Sequence, residues 1–169
     1  MKRLALILCG LAITVASSAQ DLFEQIKAAN MPERTLQAKW NQVKRSTLLV
    51  EDLVSEGQVY IQQPDLLRWE TTSPVQRVSV MAPGTARGRF RMPTEKDFNI
   101  EISEGEEYLV QLTPLRRDLK KMIGQIDLHV DPATLKLRFL TMTSPEGDWT
   151  RIEFTDVKAD LPLPATLFE

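Results

Sequence analysis

The 169-residue sequence is poor in the side chains that most active-site chemistry needs, with one cysteine, Cys9, and one histidine, His129. A serine nucleophile requires a histidine oriented by a third group, and no Gly-x-Ser-x-Gly turn is present to carry one. No glycine-rich phosphate loop and no metal-type spacing of histidine or cysteine occurs, so the sequence implies neither cofactor nor metal. Carboxylate pairs such as Glu101 with Glu153 can be drawn, but glycoside hydrolysis needs two such groups facing across a cleft. Seven glycines and ten prolines are too few for a collagenous or low-complexity chain, and 43% hydrophobic against 26% charged residues is too apolar for disorder. A basic excess is also missing. The 21 Lys and Arg against 23 Asp and Glu give −2 and a pI near 5.6, which argues against nucleic acid as a partner, because phosphate binding rests on a basic footprint.

Long hydrophobic runs are scarce too. Leu4 to Ala16 spans about 13 residues, short of the roughly 20 a helix needs to cross a bilayer, and no second such run follows. Met1-Lys2-Arg3 before it and Ser17-Ser18-Ala19 after it give the run the pattern of an export signal cut after Ala19. Cys9 lies inside that run, preceded by Leu8 where lipid attachment wants a small residue, so it reads as a bystander. The expected mature chain, residues 20–169, then has no cysteine and carries 19 basic against 23 acidic residues, net −4. It forms a single domain, long enough to bury roughly 68 to 70% of its unfolded surface.

Periodicity in the mature chain is mostly that of strands. After a short helical stretch with Leu22, Phe23, Ile26 and Ala29 on one face, closed by Asn30 and Pro32, the period becomes two: Leu36, Ala38 and Trp40 alternate with Gln37, Lys39 and Asn41. The alternation recurs at Val59–Ile61, Leu67–Trp69, Val78–Val80, Phe98–Ile102, Tyr108–Leu112, Ile126–Val130, Leu135–Phe139 and Ile152–Phe154. Asp131-Pro132-Ala133-Thr134 and Ser144-Pro145-Glu146-Gly147-Asp148 have turn chemistry, so the last three strands form a meander. His129 alternates with Leu128 and Val130 and falls on the solvent face as a bystander.

Two segments depart from this pattern. Between Pro114 and Gly124, Leu115, Leu119, Met122 and Ile123 recur at helical spacing, with Arg116, Arg117, Lys120 and Lys121 on the other face. That pattern fits a connector helix packed on the sheet, or a lid whose basic face meets an acidic partner or a membrane surface. The run Gly84–Arg91 sets Arg87, Arg89 and Arg91 at alternate positions around Phe90, which fits a solvated loop or strand edge, or a contact with anionic headgroups or an acidic partner.

Roughly nine or ten strands with one apolar face cannot leave that face open to water at about 25 cal/mol per Å². The expected fold is therefore mainly β (α+β): an incompletely closed antiparallel half-barrel with a short N-terminal helix and a short lid or connector helix over the concave face. Barrels of this size enclose ligand cavities.

Three stretches resemble the LolA-like periplasmic carriers of outer-membrane lipoproteins, in particular the versions common in Bacteroidetes. The first is Leu36-x-Ala38-x-Trp40-x-Gln42-x-Lys44. The second runs Gly57-Gln58-Val59-Tyr60 through Pro64-Asp65-Leu66-Leu67-Arg68-Trp69-Glu70 to Ser73-Pro74. The third runs from Tyr108–Pro114 through Leu119-Lys120-Lys121 and Ile126–Asp131 to Gly147–Phe154 and the terminal Leu167-Phe168. The resemblance implies a half-barrel whose interior takes lipoprotein acyl chains from an inner-membrane exporter and passes them to an outer-membrane acceptor, without chemistry. Two departures stand out. Gln63 occupies the position where many members carry an arginine that bonds to lid elements, and only 17 residues separate Val80 from Phe98, a shortened middle.

On this reading the protein is a monomeric periplasmic carrier. Its ligand-binding candidates are Trp40, Leu67, Trp69, Val80, Phe98, Ile100, Val110, Leu112, Leu128 and Phe139, with Leu119, Met122 and Ile123 on the lid. Its membrane-partner contacts are Arg116, Arg117, Lys120 and Lys121. The rivals are a lipid-sensing or adaptor module on the same scaffold and, weakest, a lipid-directed hydrolase.

Overall fold

The computed structural model describes residues 19–85 and 94–169. Most of the expected export signal, Cys9, and the arginines at 87, 89 and 91 lie outside the described residues. No helix among the described residues is long and apolar enough to cross a membrane.

The chain begins with α1 (Ala19–Asn30) and continues with β1 (Thr35–Arg45), β2 (Leu53–Gln62), β3 (Leu66–Ser73), β4 (Arg77–Met81), β5 (Phe98–Ser103), β6 (Tyr108–Pro114), β7 (Gln125–Val130), β8 (Leu137–Thr143) and β9 (Trp149–Ala159). Two 3-10 turns, Leu119–Lys121 and Ala165–Phe168, complete it. All nine strands form one antiparallel sheet in the order β4-β3-β2-β1-β9-β8-β7-β6-β5. β1 and β9 meet at its centre, while β4 and β5 are its outer edges among the described residues. The sheet is an open half-barrel, as the alternating pattern predicts, and residues 82–97 lead from one edge to the other.

Alternation assigns the two faces. Directly paired residues of an antiparallel ladder point to the same side. The pairs Ala38↔Val59, Ile61↔Leu67, Val110↔Leu128 and Trp40↔Phe154 therefore place the apolar side chains on one concave face. Two buried clusters form there. One joins Phe23 and Ile26 of α1 to Phe98, Val110, Leu112 and Val130; the other joins Ala38, Trp40, Val59, Ile61 and Leu67.

The helix is held by its last residue. Asn30 donates from Nδ2 to the carbonyls of Ile26 (2.8 Å) and Leu135 (2.7 Å), and its Oδ1 accepts from the Leu137 amide (2.8 Å). It caps the helix and ties it to the β7–β8 turn at once. Lys136 Nζ adds a bond to the Ala29 carbonyl. That turn forms as its residues predict, with Asp131 Oδ1 accepting from the amides of Ala133 and Thr134 at 2.9 Å each. On the convex side the C-terminal turn lies against β3: Phe168 is buried, and Arg68 Nη1 donates to the Leu167 carbonyl at 2.9 Å.

Candidate functional site

The concave face is built by side chains that the pleat sends inward from every strand. Its centre is aromatic. The rings of Trp40 and Trp69 stack with centroids 4.7 Å apart, and Phe154 meets Trp69 edge-on at 6.4 Å. Gly57 makes this possible. It pairs with Trp40 on one side and Thr71 on the other, and a Cβ there would lie 2.7 Å from Trp40 Cζ2 and 1.8 Å from the Glu70 carbonyl oxygen. The indole thus lies over bare backbone.

Trp40 is 3% exposed, and its Nε1 is the buried side-chain donor among the described residues that has no hydrogen-bond partner. Towards the β1–β2 hairpin the face turns polar, where Gln42 Nε2 donates to Ser55 Oγ at 3.2 Å.

Cover is unequal across this face. Phe23 and Ile26 of α1 seal the part formed by β5, β6 and β7. Beyond it Leu140, Met142, Ile152, Phe154 and Trp69, inward residues of β8, β9 and β3, are only half-buried. The described structure therefore joins a sealed apolar half to a partly open one.

Of the ligand-binding residues read from sequence, Trp40, Leu67, Trp69, Phe98, Ile100, Val110, Leu112 and Leu128 share the concave face. Leu119 and Ile123 pack against the cluster under α1. Three do not join them. Val80 pairs with Arg68 on the convex side, because the β3–β4 register sets Met81 opposite Leu67 and Ser79 opposite Trp69. Phe139 is also convex: a register shift at His129/Val130 inserts Arg138, which moves every following residue of β8 to the other face. There Phe139 stacks on His129 at 4.0 Å and carries the Arg151 guanidinium 3.7 Å above its ring. Met122 is 64% exposed, since the expected helix shrinks to a single 3-10 turn and its apolar stripe points two ways. Met81, Leu140, Met142, Ile152 and Phe154 take the vacated positions, and of these only Ile152 and Phe154 lie in a segment whose alternation was read in the phase the structure shows.

The basic segment sits at the end of the sheet beside the β1–β2 hairpin. Arg116 bridges Asp118 (2.6 Å) and Asp97 (3.3 Å), which raise its pKa; Arg116 holds Asp118 below its ordinary range, and the Thr94 hydroxyl, with Arg116 second, does the same to Asp97. Arg117, Lys120 and Lys121 are exposed. His129, on the convex face as expected, places Nδ1 2.6 Å from Glu107 Oε1. Tyr60, also convex, donates to Gln58 Oε1 at 2.7 Å, and burial, with the Glu70 charge, pushes its hydroxyl pKa up. Glu101 and Glu153 stand on the convex face of β5 and β9, with three strands between them, and do not face across a cleft. Among the described residues no three His, Cys, Asp or Glu side chains gather as a metal site.

The family model described as "Outer membrane lipoprotein carrier protein LolA" matches residues 33–84, which hold β1 to β4. A Coxiella burnetii (strain CbuK_Q154) protein named "Outer-membrane lipoprotein carrier protein" is 26% identical over 191 aligned positions, which cover 92% of this chain and 85% of the relative. In fold, the chain is similar to a LolA superfamily protein from Nitrosomonas europaea (TM-score 0.51, 13% identity, 89% of this chain and 97% of that one). It is similar also to the Pseudomonas aeruginosa MucA/MucB complex structure (TM-score 0.51, 12% identity), where it covers 88% of its own length and 60% of the matched chain. The chain is thus similar to the LolA family model over its first four strands, and shares its fold with these solved structures over most of its length.

Proposed function

We propose that this protein is an exported periplasmic carrier that holds the acyl chains of lipoproteins in its half-barrel and moves them from the inner to the outer membrane without covalent chemistry. The observation that carries this reading is the half-covered concave face: Leu140, Met142, Ile152 and Phe154 form an apolar floor continuous with the Trp40–Trp69 stack, and α1 does not reach it. Each methylene moved from water onto such a floor gains about 0.8 kcal/mol, so an acyl chain stays shielded during transit without a covalent bond. The partial exposure also limits the gain, which suits a carrier that must hand its cargo on. The lipoprotein-carrier name of the Coxiella relative supports the same cargo class. The expected signal, residues 1–19, would deliver the chain to that compartment, and the exporter and acceptor would be its membrane partners.

A release assay tests this. Inner-membrane vesicles bearing a labelled lipoprotein and its exporter are incubated with ATP and the protein, and soluble complex is measured. Wild-type protein is expected to release the lipoprotein, Phe154→Asp to release little, and Phe139→Asp, on the convex face, to release as much as wild type. Equal loss from both variants, with both still folded, would show that the concave floor is not the cargo site. No release by wild-type protein, from vesicles that respond to a known carrier, would end the carrier reading.

A further inference from the structure

The strand directions bring several connections to one end of the half-barrel: the β1–β2 hairpin (46–52), the β3–β4 turn (74–76), the segment between β6 and β7 (115–124) and the β8–β9 turn (144–148). Hydrogen bonds stitch three of them together. The Gly124 amide donates to the Thr143 carbonyl at 2.7 Å, the Ser144 amide to the Asp148 carbonyl at 2.7 Å, and the Thr47 amide to Asp148 Oδ1 at 3.0 Å. This end is therefore a fixed platform and not a set of independent loops.

Its outermost side chains are apolar. Leu48 is 90% exposed, Val50 is fully exposed, Val75 is 72% exposed and Met122 is 64% exposed, and Leu49 stands between the first two. Single exposed apolar residues are ordinary, but a consecutive Leu-Leu-Val at a hairpin tip, with two further exposed apolar residues in connections at the same end, costs solubility unless something covers it. The cations of the platform lie at the same end of the sheet, in the β6–β7 segment: among the described residues Arg117, Lys120 and Lys121 make no ion pair. The opposite end of the sheet carries Glu104, Glu106 and Glu107 in the β5–β6 connection, with Asp131 and Asp160 in neighbouring turns.

We propose that this end docks on an anionic lipid surface, with Leu48, Leu49 and Val50 inserted at the level of the acyl–headgroup boundary and Arg117, Lys120 and Lys121 against the headgroups. The contrast between the two ends selects this occupant. The connections at this end hold Arg116, Arg117, Lys120 and Lys121 against Glu51, Asp52, Asp118, Glu146 and Asp148, with Asp52 paired to Arg45 and Asp118 to Arg116, so they are close to neutral. The β5–β6 connection at the other end holds three glutamates and no cation. In an acidic chain this is the end that an anionic bilayer repels least, and it has cations free to meet headgroups beside its exposed apolar tip. Insertion of apolar tips and attraction of cations are the two signals that together give reversible membrane attachment. The inference goes beyond the carrier reading and does not require it, because it needs no cargo and no membrane protein.

Vesicle flotation tests it, using protein purified from expression of the full chain and protein-free vesicles of phosphatidylethanolamine with phosphatidylglycerol, against vesicles of phosphatidylcholine. The wild type is expected to float with the anionic vesicles and to lose that binding at high salt. Leu48→Glu with Val50→Glu should weaken binding about ten-fold or more, and each of Arg117→Ala, Lys120→Ala and Lys121→Ala about five-fold. All five positions are exposed, so thermal unfolding of the variants should match wild type. Equal binding to both vesicle types, or binding that survives loss of the apolar tip, would overturn the proposal. So would flotation only with native inner-membrane vesicles, which would assign the platform to an acidic membrane protein.

Discussion

Gly57 is the position where the smallest change should do the most damage. A Cβ there would lie 1.8 Å from the Glu70 carbonyl oxygen, whereas ordinary contact begins at 3.4 Å, so β3 must retreat by about 1.5 Å or β2 must twist away. Neither movement is cheap, because Gly57 sits beside the register shift where Glu56 pairs with Ser73 and Gly57 with Thr71. Retreat on that scale breaks one or two ladder bonds, worth about 0.5–1.5 kcal/mol each. Overpacking against Trp40 Cζ2, at 2.7 Å, adds about 1–3 kcal/mol. The relief of glycine's chain entropy returns about 0.5–1 kcal/mol. Gly57→Ala should therefore cost about 2–4 kcal/mol, a fall in Tm of about 5–15 °C for a domain of this size. It should also perturb the near-ultraviolet circular dichroism of the Trp40–Trp69 pair, which the new methyl group pushes apart. Gly105→Ala is the control: its nearest neighbour is 3.7 Å away, so it should stay within about 0.5 kcal/mol of wild type. A Gly57→Ala protein melting within about 2 °C of wild type with an unchanged aromatic spectrum would refute the reasoning.

Acid should destabilise the fold through carboxylates whose pKa values the native state lowers. Asp160 accepts from the amides of Arg34 (2.7 Å) and Thr35 (3.3 Å), and Asp131 from those of Thr134 and Ala133; these backbone bonds favour the charged form. A lowered folded pKa gives stability that is present above the unfolded value, about 3.9, and lost as pH falls through the folded one. Urea midpoints should hold steady from neutrality down to about pH 5 and drop below about pH 4, and Asp160→Asn should flatten that acid limb; an unchanged limb would remove Asp160 from the account. Trp40→Phe should cost less than about 1 kcal/mol in urea unfolding, because deleting the orphaned indole N–H returns about 1–3 kcal/mol of desolvation that offsets the lost packing. A cost of about 3 kcal/mol or more would mean that the Nε1–H is satisfied in solution.

The half-barrel was legible because alternation needs only local residue types, and Leu36, Ala38 and Trp40, or Tyr108, Val110 and Leu112, carry it cleanly. The phase of a strand is less secure than its existence. Val80-Met81-Ala82 is apolar in both phases, so the sequence could not say that the β3–β4 register turns Met81 inward and Val80 out. Phe139 failed for a related reason: Arg138 is one residue too many between Leu137, opposite Val130, and Phe139, opposite His129, and nothing local marks the bulge. Helical spacing between Leu115 and Ile123 was real, yet only Leu119 and Ile123 find the sheet. Asn30 was visible only as a helix terminator, because its bonds to Leu135 and Leu137 join residues more than a hundred positions apart.

Why half of the apolar face stays partly open follows from lengths. A helix of 12 residues is about 18 Å long and about 10 Å across. Nine strands at about 4.8 Å spacing make an arc of about 38 Å. α1 can therefore shield less than half of the width, and its two buried side chains, Phe23 and Ile26, are spent on β5, β6 and β7. Moving α1 across the sheet would not change this, since it would expose Phe98, Val110 and Val130 as it covered Ile152 and Phe154. The tether at Asn30, to the β7–β8 turn, favours the β7 side of the arc. An apolar surface of this kind is stable in water only if its exposed part is small or if another apolar body occupies it. Trp69 and Phe154 are half-buried beside the buried Trp40 and lie outside the reach of α1, which is why the carrier reading puts its proposed cargo site on β1, β3, β8 and β9 and not beneath the helix.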